Sequence, residues 1–196
     1  MKKILLSILV SSVFSPSFAS ESQKKEFDLL SAQYAQTKKY NIPAVKKLAC
    51  NGYVEAQTTM AKIGVQENNL FKYSFWLLEA AQRGDKSSQR SIATNYDRGL
   101  GLGKNDKEGY KWFYLFSKGQ SSSQWDKNHW GKKLSSKEME EVELSANKFK
   151  PLEEKEVKNC DVAFQFFTDT QQRLVEIDKK KATTIKDGAN ERNVKI

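Results

Sequence analysis

The sequence is poor in the residues that build most catalytic and metal centres. Its 196 residues include one histidine, His129, and two cysteines, Cys50 and Cys160. A single histidine excludes the common metal sites built on a histidine pair, and no nucleophile elbow surrounds it. The glycine-rich run 99–104 lacks the Gly-Lys-Ser/Thr ending of a phosphate-binding loop. We therefore predict no catalytic residue, no metal and no cofactor, and expect that the protein is not an enzyme.

Strand signals are also missing, because no alternating polar and apolar pattern of useful length occurs. Helical spacing is present instead: Phe27, Leu30 and Tyr34 fall on one helical face. Gly52 and Gly84 stand where helices stop. The pattern predicts an all-α fold with helices near 26–39, 44–50, 53–63, 71–83, 85–97, 106–117, 138–149 and from about 152 to 180.

Long apolar runs are confined to the N-terminus. Lys2 and Lys3 precede an apolar stretch, and Ser17-Phe18-Ala19 offers a small-x-small cleavage site. The stretch is shorter than the roughly 20 apolar residues that span a bilayer. We therefore predict a cleaved secretory signal peptide rather than a membrane anchor, with a periplasmic or secreted mature chain and no stable membrane insertion.

The two cysteines would both remain in the mature chain. An oxidising compartment and an even count permit one disulfide between Cys50 and Cys160. Two buried thiols are the alternative, and sequence alone does not show whether the sulfur atoms meet. A bond would close a loop of about 110 residues and stabilise by roughly 4 kcal/mol in the chain-entropy model.

A pattern written twice, 36 residues apart, is the most informative feature that is present. Its first copy recurs in the second as Asn69/Asn105, Lys72/Glu108, Trp76/Trp112, Ala80/Phe116, Ala81/Ser117 and Gly84/Gln120. Similarity at a fixed period in this range is typical of helical repeat arrays, in which each helix pair buries its apolar face against its neighbours. The array predicts a binding surface rather than an active site.

These residues resemble the Sel1-like repeat family, a relative of the tetratricopeptide repeats. The second copy matches the family pattern at Ser88, Gln89, Ile92, Tyr96, Gly99, Gly101, Leu102, Asn105, Trp112 and Phe113, and the first at Ala56, Gln57, Met60, Asn69, Lys72, Trp76, Ala80, Ala81 and Gly84. The second copy departs from it at Glu108-Gly109 and Phe116-Ser117, and the first lacks the Gly-x-Gly loop. The resemblance implies a short right-handed α-solenoid of helix pairs with extra C-terminal helices.

The resemblance and the composition together divide the chain into five parts. We predict a signal peptide over 1–19, a degenerate N-terminal helix pair over 20–51 and two Sel1-like repeats over 52–120. A loop and C-terminal capping helices follow over 121–180, and a basic disordered tail over 181–196. The basic tail is interpreted as a solvated end rather than a nucleic-acid site.

The resemblance also implies an exported bacterial protein, periplasmic in a Gram-negative cell, that acts by binding another protein. One hypothesis is an immunity protein that blocks a secreted toxic effector such as a lipase or a cell-wall hydrolase. The alternative is an adaptor for envelope assembly or signalling, and a hydrolase is the weakest alternative. Removal of Lys2 and Lys3 lowers the formal charge from +9 to +7, which favours an acidic protein partner through steering.

Contact residues are predicted on the concave face, lined mainly by the first helix of each pair. Two tryptophans in the polar stretch 121–133 are added, because tryptophan is enriched among residues that dominate interfaces. The alternative for this tryptophan pair is that both cap the end of the array. The predicted contact residues are Tyr53, Thr59, Lys62, Arg90, Thr94, Asp97, Trp125 and Trp130.

Overall fold

A computed structural model describes residues 16–118, 124–153, 156–157 and 159–193 of the chain. Every regular element among these residues is a helix. The helices are α1 (Pro16–Thr37), α2 (Ile42–Cys50), α3 (Val54–Gln66), α4 (Leu70–Gln82), α5 (Lys86–Arg98), α6 (Asp106–Ser117), α7 (Gln124–Gly131), α8 (Ser136–Ala146) and α9 (Cys160–Asn193). The all-α prediction is confirmed for this part of the chain.

Neighbouring helices in the sequence are also neighbours in space. α2 packs on α3, α3 on α4, α4 on α5, and α5 on α6. One core runs through these pairs and includes Leu48, Met60, Ile63 and Ile92, each no more than 2% exposed. The chain therefore builds its core from a succession of short helices, each completed by the next.

Equivalent residues of the two sequence copies make equivalent contacts. The amide groups of Gln57 and Gln89 each donate to a carbonyl eight residues earlier, at distances of 3.0 and 3.2 Å. Asn69 and Asn105 cap the N-termini of α4 and α6 with their side-chain oxygens. These matched bonds tie each first helix to the helix before it and set where each second helix begins.

The loop between α5 and α6 packs tightly on the start of α4. Gly101 has a φ of +63°, and a Cβ placed there would lie 2.1 Å from the carbonyl oxygen of Leu70. The hydroxyl of Ser74 donates to the carbonyl of Leu100 at 2.9 Å. Only glycine meets both the left-handed backbone and the close approach at this position.

Helices α8 and α9 lie against the second helices of the two pairs. α8 packs on α6 and α9 packs on α4. The rings of Phe164 and Phe167 lie 5.3 and 5.4 Å from the ring of Phe75, which is 4% exposed. The amide of Gly103 donates to Gln171 at 3.0 Å, so α9 also reaches the loop between α5 and α6.

Three segments differ from the sequence prediction. The stretch 121–133, expected as a loop, contains α7. The last helix begins at Cys160 rather than near Leu152, because the amide of Leu152 donates to the carbonyl of Gln82 and holds this segment against α4. The same helix continues past Lys180 to Asn193, where a disordered tail was expected, and no proline interrupts this stretch.

The N-terminal predictions meet the described residues only in part. Residues 1–15 of the predicted signal peptide lie outside them, and the predicted cleavage point after Ala19 falls within α1. The degenerate helix pair over 20–51 corresponds to the rest of α1 together with α2. In the part of the chain that the structure describes, no helix combines the length and the apolar character needed to cross a membrane.

Candidate protein-binding groove

The first helices of the pairs border a groove on the surface of the molecule. Its first cavity, of about 300 Å³, lies between α1 and α3. Phe27 and Leu30 of α1 and the buried Val45 of α2 supply apolar walls. Polar groups of Tyr34 and Thr58 stand beside them. This combination of apolar walls and a few polar groups is typical of ligand-binding cavities.

A second cavity, of about 480 Å³, lies between α3 and α5. Ala61 and Leu77 form its apolar part, while Ser87 and Ser91 supply hydroxyl groups from α5. Three residues line both cavities and therefore form the saddle between them. The saddle consists of Tyr40, Thr58 and Lys62. We call the two cavities with their saddle the groove.

Two tyrosines form a rigid wall of the first cavity. The rings of Tyr34 and Tyr40 stack with centroids 4.1 Å apart and planes inclined by 9°. Burial and a hydrogen bond with Tyr34 raise the pKa of Tyr40, so the hydroxyl of Tyr40 stays neutral at physiological pH. A stacked aromatic pair presents a large apolar surface with two hydroxyl groups, a chemistry enriched in protein interfaces.

The charges at the groove are few and differ in their surroundings. Lys62 is exposed and forms no ion pair within the described residues. Glu55 also lines the first cavity, but it lies in the first turn of α3, where the positive end of the helix dipole favours a carboxylate. The helix dipole thus explains why a glutamate occupies position 55. No contact within the described residues explains the lysine at position 62.

The structure separates the predicted contact residues of the first pair. Lys62 lies on the saddle of the groove, as described above. Tyr53 is 4% exposed and packs on Phe27 at a ring distance of 5.4 Å, so it does not offer a contact surface. Thr59 lines the first cavity but is only 8% exposed, and its hydroxyl donates to the carbonyl of Glu55. The structure therefore leaves these two predicted contact residues with little exposed surface.

The predicted contact residues of the second pair make contacts within the chain. The guanidinium group of Arg90 lies 5.7 Å from the centre of the Phe116 ring. The hydroxyl of Thr94 donates to the carbonyl of Arg90 at 3.2 Å. The carboxylate of Asp97 pairs with Lys133 and with His129, whose Nε2 lies 3.2 Å away. None of these three residues lines the groove.

The second predicted tryptophan is part of the core. Trp130 is 4% exposed and packs on Tyr110 and Phe113. A Cβ at Gly109 would lie 2.6 Å from the Trp130 ring, so glycine at this departure from the family pattern makes room for the indole. Trp130 is therefore buried within the fold and has little exposed surface. The side chain of Trp125 lies outside the described residues.

Several groove residues were missed by sequence reasoning. Thr58 lies one helical turn before Lys62 and therefore on the same helical face. From this spacing, Thr58 could have been predicted as a contact residue together with Lys62. Ser87 and Ser91 repeat this spacing on α5. Tyr34 was assigned to one helical face with Phe27 and Leu30, and nothing in the local sequence shows that Tyr40, in the turn after α1, stacks on it.

Cys50 and Cys160 are joined by a disulfide with a Cα–Cα distance of 5.7 Å. The bond links the C-terminal end of α2 to the first residue of α9. Lys46 of α2 pairs with Asp161 of α9 beside it, and the amide of Val157 donates to the carbonyl of Cys50 at 2.6 Å. This cluster holds the start of α9 against α2, away from the groove.

Outside the groove, the described residues include few side chains arranged to bind a metal ion or to take part in catalysis. No group of three or more histidine, cysteine, aspartate or glutamate side chains is arranged there to hold a metal ion. His129 faces Asp97 and also packs its ring edge-on against Trp130, with ring centres 5.1 Å apart. The histidine thus lies in a contact that fastens α7 to α5.

Comparison with known proteins returned no matching family model, no matching curated protein and no matching solved structure. The resemblance to Sel1-like repeats therefore stays a prediction that rests on the residues of the two sequence copies.

Proposed function

We propose that this chain is an exported Sel1-like repeat protein that works as a protein–protein interaction module. Its helix pairs would form a short right-handed α-solenoid, with the groove on the concave side. The partner would be an acidic protein that inserts part of its surface between the first helices. The proposal assigns no catalytic residue and no cofactor to the chain.

The observation that carries this proposal is the difference between the two sides of the helix pairs. The second helices α4 and α6 are covered by α8 and α9. The first helices α3 and α5 border two joined cavities with exposed polar and aromatic groups. A surface of this kind, concave and apolar with a few polar groups, is the default hypothesis for a binding site.

Export is supported by two independent features. The N-terminal sequence has the charge, apolar stretch and cleavage site of a signal peptide. The disulfide between Cys50 and Cys160 suits an oxidising compartment such as the periplasm. Cytosolic reducing systems would keep such a pair reduced in most bacteria.

Two kinds of protein partner remain as proposals. The first is a toxic effector, such as a lipase or a cell-wall hydrolase, which the chain would block as an immunity protein. The second is a set of envelope proteins that the chain would bring together as an adaptor. The size of the groove favours the second kind in one respect, because cavities of about 300 and 480 Å³ fit a short chain segment.

The test is capture of partners from native periplasmic extract with the tagged mature chain, residues 20–196, at moderate and high salt. A Ser91→Trp variant fills the second cavity with an indole. A Ser145→Trp variant is its matched control, because Ser145 is exposed on α8 away from the groove. A single stoichiometric partner that survives high salt and is lost only with Ser91→Trp supports an immunity protein.

Several salt-sensitive partners that are lost only with Ser91→Trp support the adaptor. Capture that is equal for wild type and Ser91→Trp overturns the groove as the binding surface. Absence of any captured partner at moderate salt overturns the interaction module itself. Circular dichroism of both variants shows whether each retains the helical fold.

A further inference from the structure

The saddle of the groove carries a positive charge that the described chain does not neutralise. Lys62 is the one cation that lines either cavity among the described residues. Its ammonium group forms no hydrogen bond or ion pair there. Thr58 and Tyr40 flank it on the saddle, and both are only partly exposed. A ligand seated on the saddle therefore meets a single ammonium group beside two hydroxyl groups.

Three cations of the neighbouring helices α4 and α5 differ from Lys62 because they have partners within the chain. Lys86 donates to the carbonyl of Leu115 at 2.5 Å. Arg90 lies over the ring of Phe116, and Lys72 pairs with Glu67 at 2.7 Å. Their charges are engaged in holding helices or helix ends together. Lys62 differs from them because it lines the groove and its ammonium group has no partner in the described residues.

On each side of the saddle, part of the cavity wall is apolar. Phe27 and Leu30 contribute to the first cavity, and Ala61 and Leu77 to the second. The cavities lie on opposite sides of α3, so their separation is about one helix spacing, roughly 8–10 Å. A chain of a few residues can span this distance. The groove thus offers an apolar position, a cationic position and a second apolar position in a row.

A carboxylate fits the central position better than a phosphate does. Phosphate sites in proteins bring several donors together, from forked arginines, lysines or the free N–H groups of a helix N-terminus, whereas the saddle offers one ammonium group. Lys62 lies in the third turn of α3, where the backbone amides are already bonded within the helix. One ammonium group matches one carboxylate in charge.

We propose that the groove binds a peptide segment of the partner that carries an aspartate or glutamate between two apolar side chains. The carboxylate pairs with Lys62 on the saddle, and one apolar side chain enters each cavity. This inference rests on the proposed function, because it specifies the partner segment that the interaction module recognises. The net charge of +7 on the mature chain assists the encounter with such an acidic segment.

The first experiment is selection of a displayed library of short random peptides on the immobilised mature chain. Wild type is expected to enrich peptides with an acidic residue flanked on both sides by apolar residues. Selection on Lys62→Glu is expected to replace the acidic residue by lysine or arginine, because the charge on the saddle is reversed. The Ser91→Trp variant is expected to lose the motif, and Ser145→Trp is expected to retain it.

A synthetic peptide with the enriched motif then measures the pairing directly. Replacement of its acidic residue by the corresponding amide should weaken binding to wild type by about tenfold, the magnitude of a charge-assisted hydrogen bond. The same replacement should leave binding to Lys62→Met unchanged. Fluorescence anisotropy at low and high salt provides the dissociation constants.

The outcomes separate this inference from the proposed function. An enriched motif that is lost with Ser91→Trp but lacks an acidic residue, or that is unchanged with Lys62→Glu, overturns the inference and leaves the groove as the binding surface. An enriched motif that is unaffected by Ser91→Trp overturns both. Absence of any enriched motif overturns the inference, while capture from periplasmic extract decides the proposed function independently.

Discussion

The two sides of the helix pairs are built from the same sequence repeats, yet they have different surroundings. On the covered side, α8 and α9 lie against α6 and α4, and aromatic rings from distant parts of the chain meet at Phe75. On the open side, α1, α3 and α5 leave the groove with Lys62 on its saddle. Residues of the covered side therefore stabilise the fold, whereas those of the open side are the ones to which we assign binding of a partner.

The largest effect is expected on the covered side, at Phe75. Its ring is 4% exposed and contacts Trp76, Phe164 and Phe167. Phe75→Ala should lower the free energy of unfolding by about 3–5 kcal/mol, the usual cost of removing a buried phenylalanine ring. Urea unfolding followed by circular dichroism measures this change.

The matched control is Phe166→Ala on α9, where the ring is 73% exposed. This variant should change the free energy of unfolding by no more than about 0.5 kcal/mol. Equal losses for Phe75→Ala and Phe166→Ala would contradict the assignment of the covered side.

The disulfide gives the next largest effect. Cys50→Ser combined with Cys160→Ser opens a loop that spans 110 residues and should cost about 2–4 kcal/mol of unfolding free energy. A reducing agent should destabilise wild type by a similar amount and should not affect the double variant. If wild type unfolds at the same urea concentration with and without reductant, the bond does not contribute to stability.

A smaller loss is expected where Trp130 packs on α6. Gly109→Ala places a methyl group 2.6 Å from the Trp130 ring and should cost about 1–3 kcal/mol as overpacking. Gly131→Ala is the matched control, because no atom lies within 4 Å of its added Cβ. The control should be neutral or stabilising by up to about 1 kcal/mol through helix propensity. Thermal unfolding measures the stability of both variants. Equal stability of Gly109→Ala and Gly131→Ala would disprove the tight contact with Trp130.

The N-terminus of α8 provides a prediction about pH. Hydrogen bonds from the backbone and side chain of Ser135, together with Lys107, lower the pKa of Glu138 from 4.5 to about 2. Because the pKa is lowered, the stabilisation by the charged carboxylate is complete above about pH 4.5 and is lost as the pH falls towards 2. Titration of the Glu138 carboxyl by NMR spectroscopy should follow this range.

Ser135→Ala removes the cap itself and should raise the pKa of Glu138 towards its ordinary value. The loss of the cap should cost about 1 kcal/mol at neutral pH. Ser145→Ala, near the other end of α8, should leave the pKa of Glu138 unchanged. An unshifted pKa in Ser135→Ala would show that Ser135 does not form the capping box.

The smallest effect on stability is expected on the open side. Lys62→Met should change the free energy of unfolding by no more than about 0.5 kcal/mol, because the ammonium group is exposed and has no partner in the described residues. Lys133→Met is the comparison, because its ammonium group contacts the half-buried Asp97; it should cost about 1 kcal/mol or more. Equal stability of the two variants would contradict the difference between a free and an engaged lysine.

The parts of the fold that the sequence predicted correctly depend on local signals. Asn69 and Asn105 mark the starts of α4 and α6, and Gly52 and Gly84 follow the ends of α2 and α4. Helix α7 was missed because its stretch is short and polar, so its helical form depends on Trp130 packing against Gly109. The start of α9 was misplaced because a contact between Leu152 and Gln82, 70 residues apart, overrides the local helical pattern.

The candidate site was predicted less well than the fold. The sequence indicated that the first helices carry the binding surface, and Lys62 lies there on the saddle. It did not reveal the stacked pair of Tyr34 and Tyr40, because stacking depends on the path of the turn after α1. It also could not show that Asp97 pairs with Lys133, since that pair joins α5 to the turn after α7 across 36 residues.

By itself, the sequence determined the helical class, the positions of most helix ends and the equivalence of the two repeated segments. Periodicity and capping act between residues a few positions apart, so they can be read along the chain. Only the tertiary structure decided the pairing of Cys50 with Cys160, the burial of Trp130 and which side of the helix pairs stays open. These outcomes depend on packing between distant segments, where the gain from burying apolar surface selects one arrangement among many that the local pattern allows.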